Sequence, residues 1–351
     1  MKHETKNVFI AGGTGFLGYY SALLFLEKGC KVSTIALPNE IDLGDWFPKQ
    51  IDLRCADLFS LKEDEIYSML KDKGYDTFVY ALGPDDRVTP KAPAYNFFHL
   101  RLVEHCLKIF SAAKRAGIKR CVVLNSYFAY FDRLQNGALS NRHPYIRCRN
   151  EQAEAIINLG EKGVFDVMFL ELPYIFGAMP ARMPIWKTVF IDRFAKLPAF
   201  YFPDGGTAAV HVTGVAEAVV AAAFNGQHGE KYTVGSMNMK YCDMIGFMLA
   251  SAGIKKKFVK IPQVASFLFG NVMYVLERLK GLQGGLDLRF VMTQILSKDF
   301  YFDPKETHIK LGYHELGFTG GENCWKGIQE AMRKCFPDSY TQLPLPEIKA
   351  D

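Results

Sequence analysis

The chain has 351 residues, of which 49% are hydrophobic and 23% are charged, and its formal net charge is +5. This composition excludes a disordered protein and predicts one large domain or two unequal ones with a substantial core. Apart from the cluster Lys255-Lys256-Lys257, the basic residues are spread along the chain, so the charge does not indicate nucleic-acid binding. We interpret the cluster as a solvated loop, with a phosphate-binding or membrane-surface patch as the alternative.

The opening stretch MKHETKNVFIAGG contains only a short apolar run, which favours a chain without a leader sequence and a cytoplasmic location. The eight cysteines show no C-x-x-C spacing and are expected to be reduced and mostly buried. Histidine, cysteine and acidic residues show no spacing typical of a metal site, so we predict no metal centre.

In the first half of the chain, short apolar runs alternate with segments of helical periodicity. Strands are predicted over 7–11, 31–37, 51–55, 77–80, 120–125 and 166–172. Helices are predicted over 16–27 and 62–71, over a long segment ending near 116, and from about Pro144 onward. Six strands alternating with helices predict an α/β fold with a doubly wound parallel sheet.

Between the first strand and the first helix, the motif AGGTGFLG places Gly12, Gly15 and Gly18 at three-residue spacing. A tight turn, close approach of a pyrophosphate to the backbone, and close helix–strand packing each require a residue without Cβ. The N-terminus of the following helix then attracts an anion. Strand, turn, helix and second strand together predict a dinucleotide site.

The second strand ends Ile35-Ala36-Leu37-Pro38, without the acid that would accept from an NAD ribose or the arginine that would favour NADP. Lys31, Lys49 and Arg54 are candidates for a 2′-phosphate contact, and the choice between NAD and NADP stays open.

After Pro173, prolines and glycines interrupt the pattern. We expect a dinucleotide-binding domain over 1–173 and a smaller, mostly substrate-binding region over 174–351. Within the latter, about 205–235 should return to the first domain, through a helix over 212–224 and a strand over 231–234. The apolar segment 264–276 is too short to span a bilayer, and we expect a buried or lid helix, with membrane-surface contact as the alternative.

Together with the glycine turn, two further motifs identify a family. One is Val122-Val123-Leu124-Asn125-Ser126, and the other is Tyr145 at a helix start. The chain resembles the extended short-chain dehydrogenase/reductases, also grouped as NAD-dependent epimerases and dehydratases. This resemblance implies an enzyme with a Rossmann fold, an NAD or NADP cofactor, a small-molecule substrate and a homodimer formed through the long helices.

The resemblance also implies which residues bind the cofactor. Asp57 corresponds to the family's polar contact on the adenine side, Ala81 to a position beside the cofactor, and Pro173 to a position beside the nicotinamide. The full set of cofactor-binding candidates is Gly12, Thr14, Gly15, Phe16, Leu17, Gly18, Asp57, Leu58, Ala81, Tyr145, Arg149 and Pro173.

In the family, a serine, a tyrosine and a lysine carry the proton chemistry, and the matching positions here are Ser126, Tyr145 and Arg149. Tyrosine needs a nearby cation to stabilise its phenolate, and four-residue spacing places both side chains on one helical face. Arginine keeps the charge but cannot deprotonate. Arg149 is therefore either the cation of the site or a salt-bridge partner of Glu151 or Glu154.

Two histidines have less specific contexts. We interpret His143 as a polar loop residue rather than a general base, and His211 as a structural hydrogen-bonding group.

The substrate is less well determined. Residues 207–210 read Thr-Ala-Ala-Val where sugar-nucleotide epimerases commonly have a pyrophosphate-binding arginine, and the C-terminal part is similar to the steroid-dehydrogenase and dihydroflavonol-reductase branch. An apolar substrate pocket is therefore expected, although its candidate lining residues are equally typical of a plain core; they are Met183, Trp186, Phe267, Phe269 and Met273.

Three functional hypotheses follow. The first is an NAD(P)-dependent oxidoreductase acting on a secondary alcohol or ketone. The second is a nucleotide-sugar epimerase or dehydratase. The third is a cofactor-binding sensor or scaffold with degraded catalysis, which the arginine at position 149 motivates.

Overall fold

The computed structural model describes residues 6–38, 43–313 and 320–347. The first five residues, on which the expectation of no leader partly depends, lie outside these ranges. The strands are β1 (Asn7–Ala11), β2 (Lys31–Ala36), β3 (Asp52–Cys55), β4 (Thr77–Tyr80), β5 (Arg120–Ser126), β6 (Asp166–Leu172), β7 (Tyr174–Phe176), β8 (Phe200–Phe202), β9 (Gly206–His211), β10 (Lys231–Thr233), β11 (Met237–Lys240), β12 (Phe258–Lys260) and β13 (Asp299–Phe300).

Most helices lie between consecutive strands, and three π-helical turns interrupt or precede them. The helices are α1 (Phe16–Glu27), α2 (Glu63–Leu70), α3 (Ala94–His99), α4 (His105–Arg115), α5 (Tyr127–Leu134), α6 (Pro144–Leu159), α7 (Asp192–Phe194), α8 (Val212–Asn225), α9 (Tyr241–Ser251), α10 (Gln263–Leu279), α11 (Leu288–Phe290), α12 (Lys305–Leu311) and α13 (Gly320–Cys335). The π-helical turns are Leu100–Glu104, Lys187–Ile191 and Val291–Ile295.

The central sheet has seven strands in the order β10-β6-β5-β4-β1-β2-β3, and every pairing is parallel. All residues of β4 and β5 are buried, as expected when helices cover both faces of a parallel sheet. The predicted doubly wound α/β fold is therefore confirmed. The strand order reverses between β1 and β4, and ligands of such sheets bind at the carboxyl edge beside this reversal.

Helices form a layer on each face of the sheet. On one face, Phe25 of α1 and Val215 of α8 pack in the same core cluster as Ile10 of β1. On the other face, α2, α4 and α6 contribute to a second cluster around Phe9 and Phe78. The strand β10 pairs with β6, so the segment that includes α8 and β10 lies with the central sheet.

The remaining C-terminal elements form a second layer beside the sheet. Strand β9 pairs with β7, β11 and β13, while β8 pairs with β12, and a third core cluster packs between these strands and α9 and α13. The boundary of the two predicted domains at residue 173 stays a prediction.

Helix α10 is more exposed than its sequence predicts. The predicted helix is present, but among its residues only Ser266 and Gly270 are buried, and its large apolar side chains face outward. The expectation of a buried helix is therefore wrong, while the alternative of a lid helix stays a prediction. Apolar periodicity along one face indicates a helix and gives no information on whether that face meets the protein or its surroundings. Within the described residues, no helix is long and apolar enough to cross a membrane.

Candidate active site

The carboxyl ends of four central strands meet at one edge of the sheet. Ala11 pairs with Tyr80, and Ser126 pairs with Leu172, so the residues that follow these strands lie side by side. A cavity of about 550 Å³ opens there. Nine of the sequence-predicted residues line it, namely Phe16, Leu17, Ala81, Ser126, Tyr145, Arg149, Pro173, Met183 and Trp186.

The glycine turn is built as its spacing predicts. Gly12 has a φ of +93°, and a Cβ there would lie 2.8 Å from the carbonyl oxygen of Ala81. A Cβ on Gly18 would lie 2.2 Å from the carbonyl oxygen of Gly12, because α1 packs directly on the turn. Gly15 precedes the first residue of the 12-residue helix α1, whose leading amides have no partner within the helix. The turn therefore has the shape and polarity that a pyrophosphate requires.

Tyr145 and Arg149 lie on the first turns of α6 and point into the cavity wall. The Arg149 Nε atom donates a hydrogen bond of 3.0 Å to Tyr145 Oη. The same guanidinium donates through Nη1 to the carbonyl oxygen of Leu124 and to Gln152 Oε1. Arg149 is thus oriented by buried acceptors and directed at the tyrosine.

The alternative salt bridge of Arg149 is not formed. Glu151 instead accepts from Arg147 Nε at 2.8 Å and from Tyr95 Oη.

Ser126 ends β5 and caps α5 by accepting from Phe128 N at 3.3 Å. Its side chain lines the same cavity as Tyr145. Burial raises the pKa of Tyr145 above its ordinary 10.0, and the positive charge of Arg149 partly offsets this increase. Tyr145 is therefore a protonated phenol at neutral pH, hydrogen-bonded by a guanidinium, which equips it to donate a proton.

A charged loop after β4 forms another wall of the cavity, through Asp85, Asp86 and Arg87. Arg87 Nη2 donates to Asp85 Oδ2 at 2.7 Å, and its guanidinium lies 5.6 Å from the ring of Trp186. Burial raises the pKa of the Asp86 carboxyl, and the positive charge of Arg87 partly offsets this increase. Sequence reasoning missed this loop, although three consecutive charged residues shortly after a buried strand were a visible signal.

A second arginine missed by sequence reasoning approaches the glycine turn. Arg182 also lines the cavity, and its Nε donates to the carbonyl oxygen of Thr14 at 3.3 Å. The preceding Ala181 has a φ of +57°, in the left-handed region, where the chain turns back toward α1. The arrangement brings a positive charge to the turn that is shaped for phosphates.

Several predicted cofactor contacts lie outside the cavity wall. Asp57 accepts from Phe59 N at 3.0 Å and from the Ser60 hydroxyl, and Leu58 is 3% exposed within the core; their contacts with a cofactor stay predictions. Thr14 is buried at the turn itself.

The three cations considered for a 2′-phosphate do not lie at the cofactor edge. Lys31 begins β2 and Lys49 precedes β3, so both lie toward the opposite edge of the parallel sheet. Arg54 donates to the carbonyl oxygen of Met69 at 3.0 Å, which directs its guanidinium toward α2.

The two histidines singled out from sequence have structural partners. His143 is fully buried rather than exposed in a loop, and its Nδ1 accepts from Asp287 N at 3.0 Å. That acceptor is 144 residues from its donor in sequence, which is why the burial could not be predicted. His211 bonds Thr213 Oγ1 at 2.7 Å and Glu330 Oε2 at 3.2 Å, consistent with a structural role.

Among the described residues, His99, Cys148 and Glu151 bring potential metal ligands within 4.8 Å of one another. The carboxylate of this group is already bonded by Arg147 and Tyr95, and none of the three lines the cavity. The group is a hydrogen-bonded network on α3 and α6, and the prediction of no metal centre stays a prediction.

Aromatic and aliphatic side chains form another part of the cavity wall. Trp186 stacks on Tyr174 with ring centroids 5.2 Å apart, and Met183 and Ile185 lie partly exposed beside it. The other proposed lining residues, Phe267, Phe269 and Met273, lie on α10 and do not line the cavity, so that part of the pocket prediction is wrong.

Comparison with known proteins agrees with this geometry. The model of the NAD dependent epimerase/dehydratase family matches residues 8–235. No curated protein sequence matches the chain significantly.

Crystal structures share the fold over nearly the whole chain. The structure of gox2253 is 20% identical with a TM-score of 0.72 and covers 96% of this chain and 100% of its own. A nucleoside-diphosphate-sugar epimerase from Pseudomonas aeruginosa, PA4631, is 15% identical with a TM-score of 0.66, covering 96% and 99%. A UDP-glucose 4-epimerase from Bifidobacterium longum, in complex with NAD+ and UDP, is 13% identical with a TM-score of 0.67, covering 95% and 100%. The chain belongs to the NAD-dependent epimerase/dehydratase family, as its motifs predict.

Proposed function

We propose that the protein is an NAD(P)-dependent oxidoreductase that interconverts a ketone and a secondary alcohol in the cavity at the carboxyl edge of the sheet. The observation that carries this proposal is the hydrogen bond from Arg149 to Tyr145 in a cavity wall that also includes Ser126. It lies at the strand edge that also holds the glycine turn. The proton donor and its oxyanion partner thus line one cavity together with Phe16 and Leu17, which directly follow the glycine turn.

The glycine turn and the first turn of α1 fit a pyrophosphate, because a Cβ at Gly12 or Gly18 would collide with backbone there. Arg182, bonded to Thr14 O, adds a positive charge at the turn. Ala81 and Pro173 form the cavity wall between this turn and Tyr145. A bound nicotinamide dinucleotide supplies or accepts the hydride.

In the reductive direction, Ser126 Oγ donates a hydrogen bond to the substrate oxygen and Tyr145 Oη donates its proton to it. The C–O double bond becomes a C–OH bond, and the negative charge moves to the phenolate. Arg149 stabilises that phenolate through the charged hydrogen bond from Nε. Because arginine does not deprotonate, Arg149 holds the charge and does not pass a proton onward.

The cavity favours an apolar substrate. Part of its wall is formed by Trp186, Met183 and Ile185. The position where epimerases commonly place an arginine is the buried strand β9, in which Thr207 bonds Tyr127 Oη at 2.9 Å. That segment has no cation directed at a substrate pyrophosphate.

A nucleotide-sugar epimerase or dehydratase is the second candidate, because Arg87 lies at the cavity and offers a cation for a phosphate.

A turnover screen separates the two candidates. The purified protein is mixed with NADH or NADPH and a panel of apolar ketones, and nicotinamide absorbance is followed. Consumption of NADH or NADPH in the presence of ketones, without inhibition by UDP, supports the first candidate. If UDP or dTDP protects the protein, if sugars linked to these diphosphates are epimerised, and if no ketone is reduced, the second candidate function replaces the first.

We also propose a cytoplasmic location and a homodimer formed through α3, α4 and α6, the arrangement that the family resemblance implies. All eight cysteines are free and six of them are buried, which suits a reducing compartment. Sedimentation velocity tests the dimer directly.

A further inference from the structure

Helix α10 carries an extensive exposed apolar surface. Of the seventeen large hydrophobic side chains that are exposed in the described residues, eight belong to this one helix: Val264, Phe267, Leu268, Phe269, Val272, Val275, Leu276 and Leu279. Val264 is 72% exposed and Leu279 is 79% exposed, so the surface runs the full length of the helix. Contiguous apolar surface of this kind marks an interaction site.

The helix is oriented with its apolar side away from the protein. At 100° per residue, the eight side chains span roughly 200° of its circumference. On the side that meets the protein, Ser266 and Gly270 are buried and Met273 and Tyr274 are half-buried, and a Cβ on Gly270 would lie 2.2 Å from the carbonyl oxygen of Leu288. Close backbone packing holds the helix while its large side chains remain exposed.

Basic side chains outnumber acidic ones in the segment that contains this helix, and one of them, Lys260, is paired with Asp204 at 2.6 Å. Residues 253–282 contain six basic side chains and one acid, a net of +5 that equals the net charge of all 351 residues. Lys255 and Lys257 are exposed just before β12, and Arg278 and Lys280 are exposed at the end of the helix. The acid, Glu277, is half-buried and accepts from Gly284 N at 3.3 Å.

We propose that α10 lies on an anionic lipid surface, with its apolar side in the headgroup boundary and the flanking lysines and arginine against the lipid phosphates. An apolar helix side edged by basic residues is the composition of an interfacial helix that lies in the membrane plane without crossing it. A second copy of the chain is a poorer occupant, because a two-fold contact would bring two regions of charge +5 together.

The helix is joined directly to the active site. The segment after it pairs Leu282 with Lys91, and Gln283 Oε1 accepts from Ala94 N at 3.0 Å. Gly285 then accepts a hydrogen bond of 3.0 Å from the amide of Tyr145. A lipid-bound α10 therefore fixes the position of the catalytic cavity relative to the membrane.

Co-sedimentation with sucrose-loaded vesicles tests the proposal, using pure phosphatidylcholine and phosphatidylcholine containing a third of phosphatidylserine. We expect the full chain to pellet with the anionic vesicles, and added salt to weaken but not abolish binding. Leu268→Glu/Val272→Glu, in the centre of the apolar side, should lower the partition coefficient at least about tenfold. The matched control Leu134→Glu/Ile309→Glu alters two exposed side chains on other helices and should bind as the unaltered protein does.

A second variant keeps the test independent of folding effects in the helix. Lys255→Gln/Lys257→Gln leaves α10 intact and should reduce binding to anionic vesicles only. Absence of vesicle binding by the unaltered protein overturns the proposal, as does equal binding by Leu268→Glu/Val272→Glu. A dimer that this variant dissociates, without vesicle binding, assigns the surface to a second copy instead.

Discussion

The Nε atom of Arg149 donates a hydrogen bond of 3.0 Å to the hydroxyl oxygen of Tyr145, four residues earlier on α6. Both side chains are buried, at 7% and 4% exposure, so the charge acts on the phenol with little screening by water. The positive charge counteracts the increase in the pKa of Tyr145 that burial causes. This pair is the chemical centre of the proposed oxidoreductase.

Removal of the Arg149 charge should impair catalysis strongly. In Arg149→Met the phenolate of Tyr145 loses its stabilising cation, and we expect kcat to fall at least about 100-fold. Arg147→Met is the matched control, because Arg147 pairs with Glu151 on the exposed side of the same helix. Equal losses in both variants, measured by ketone reduction, would show that Arg149 has no specific role.

Arg149→Lys tests whether the family's usual residue is required. It keeps the charge and loses the contacts to Leu124 O and Gln152 Oε1, so we expect activity within about tenfold of the unaltered protein. If the unaltered protein binds cofactor without turnover and Arg149→Lys gains activity, the chain is instead a cofactor-binding sensor or scaffold.

Gly18 should not tolerate a side chain. A Cβ there meets Gly12 O at 2.2 Å and Gly13 Cα at 2.8 Å, which are backbone atoms that cannot move aside. Gly18→Ala should therefore lower the thermal midpoint and prevent NADH binding. Gly246→Ala, within α9, meets nothing within 4 Å and should stabilise the protein by up to about 1 kcal/mol. Normal NADH affinity in Gly18→Ala would show that the turn is not the phosphate site.

Arg182 should contribute to cofactor affinity. Its guanidinium bonds Thr14 O beside the glycine turn, so Arg182→Met removes one charged contact to a pyrophosphate. We expect the Kd for NADH to rise about tenfold, the effect of one charge-assisted hydrogen bond. The exposed Arg193 provides the control Arg193→Met, whose Kd should match that of the unaltered protein. Fluorescence titration of both variants measures the difference, and identical affinities would remove Arg182 from the site.

His143 should make the fold sensitive to acid. Burial lowers its pKa from 6.5 to about 4, so between these values the unfolded chain binds a proton that the folded chain does not. Stability is therefore lost as the pH falls through this window, by on the order of 2 kcal/mol between about pH 7 and 4.5.

Urea unfolding of His143→Asn checks this pH dependence. Asparagine keeps an acceptor for Asp287 N but does not titrate. Between about pH 7 and 4.5, the variant should therefore lose on the order of 2 kcal/mol less stability than the unaltered protein. If the variant loses as much stability between the two pH values as the unaltered protein does, the assignment to His143 is contradicted.

The sequence was sufficient where the determinants are local. The turn at Gly12, Gly15 and Gly18 follows from spacing within one β-α-β unit, and the approach of Arg149 to Tyr145 follows from helical periodicity.

Features that depend on distant partners were not predictable. Arg182 meets Thr14 across 168 residues, and the amide donor for His143 comes from Asp287 across 144 residues. The side of α10 that faces the protein is set by close backbone packing at Gly270, which the pattern of apolar residues does not encode.

The most direct test of the account is a titration of the purified protein with NADH and NADPH, followed by nicotinamide fluorescence and by the thermal midpoint. Ligand that binds only the folded state raises the midpoint. We expect saturable binding of at least one of the two, with a raised midpoint, and loss of both signals in Gly18→Ala. Binding of neither dinucleotide would contradict the proposed oxidoreductase and leave only the fold.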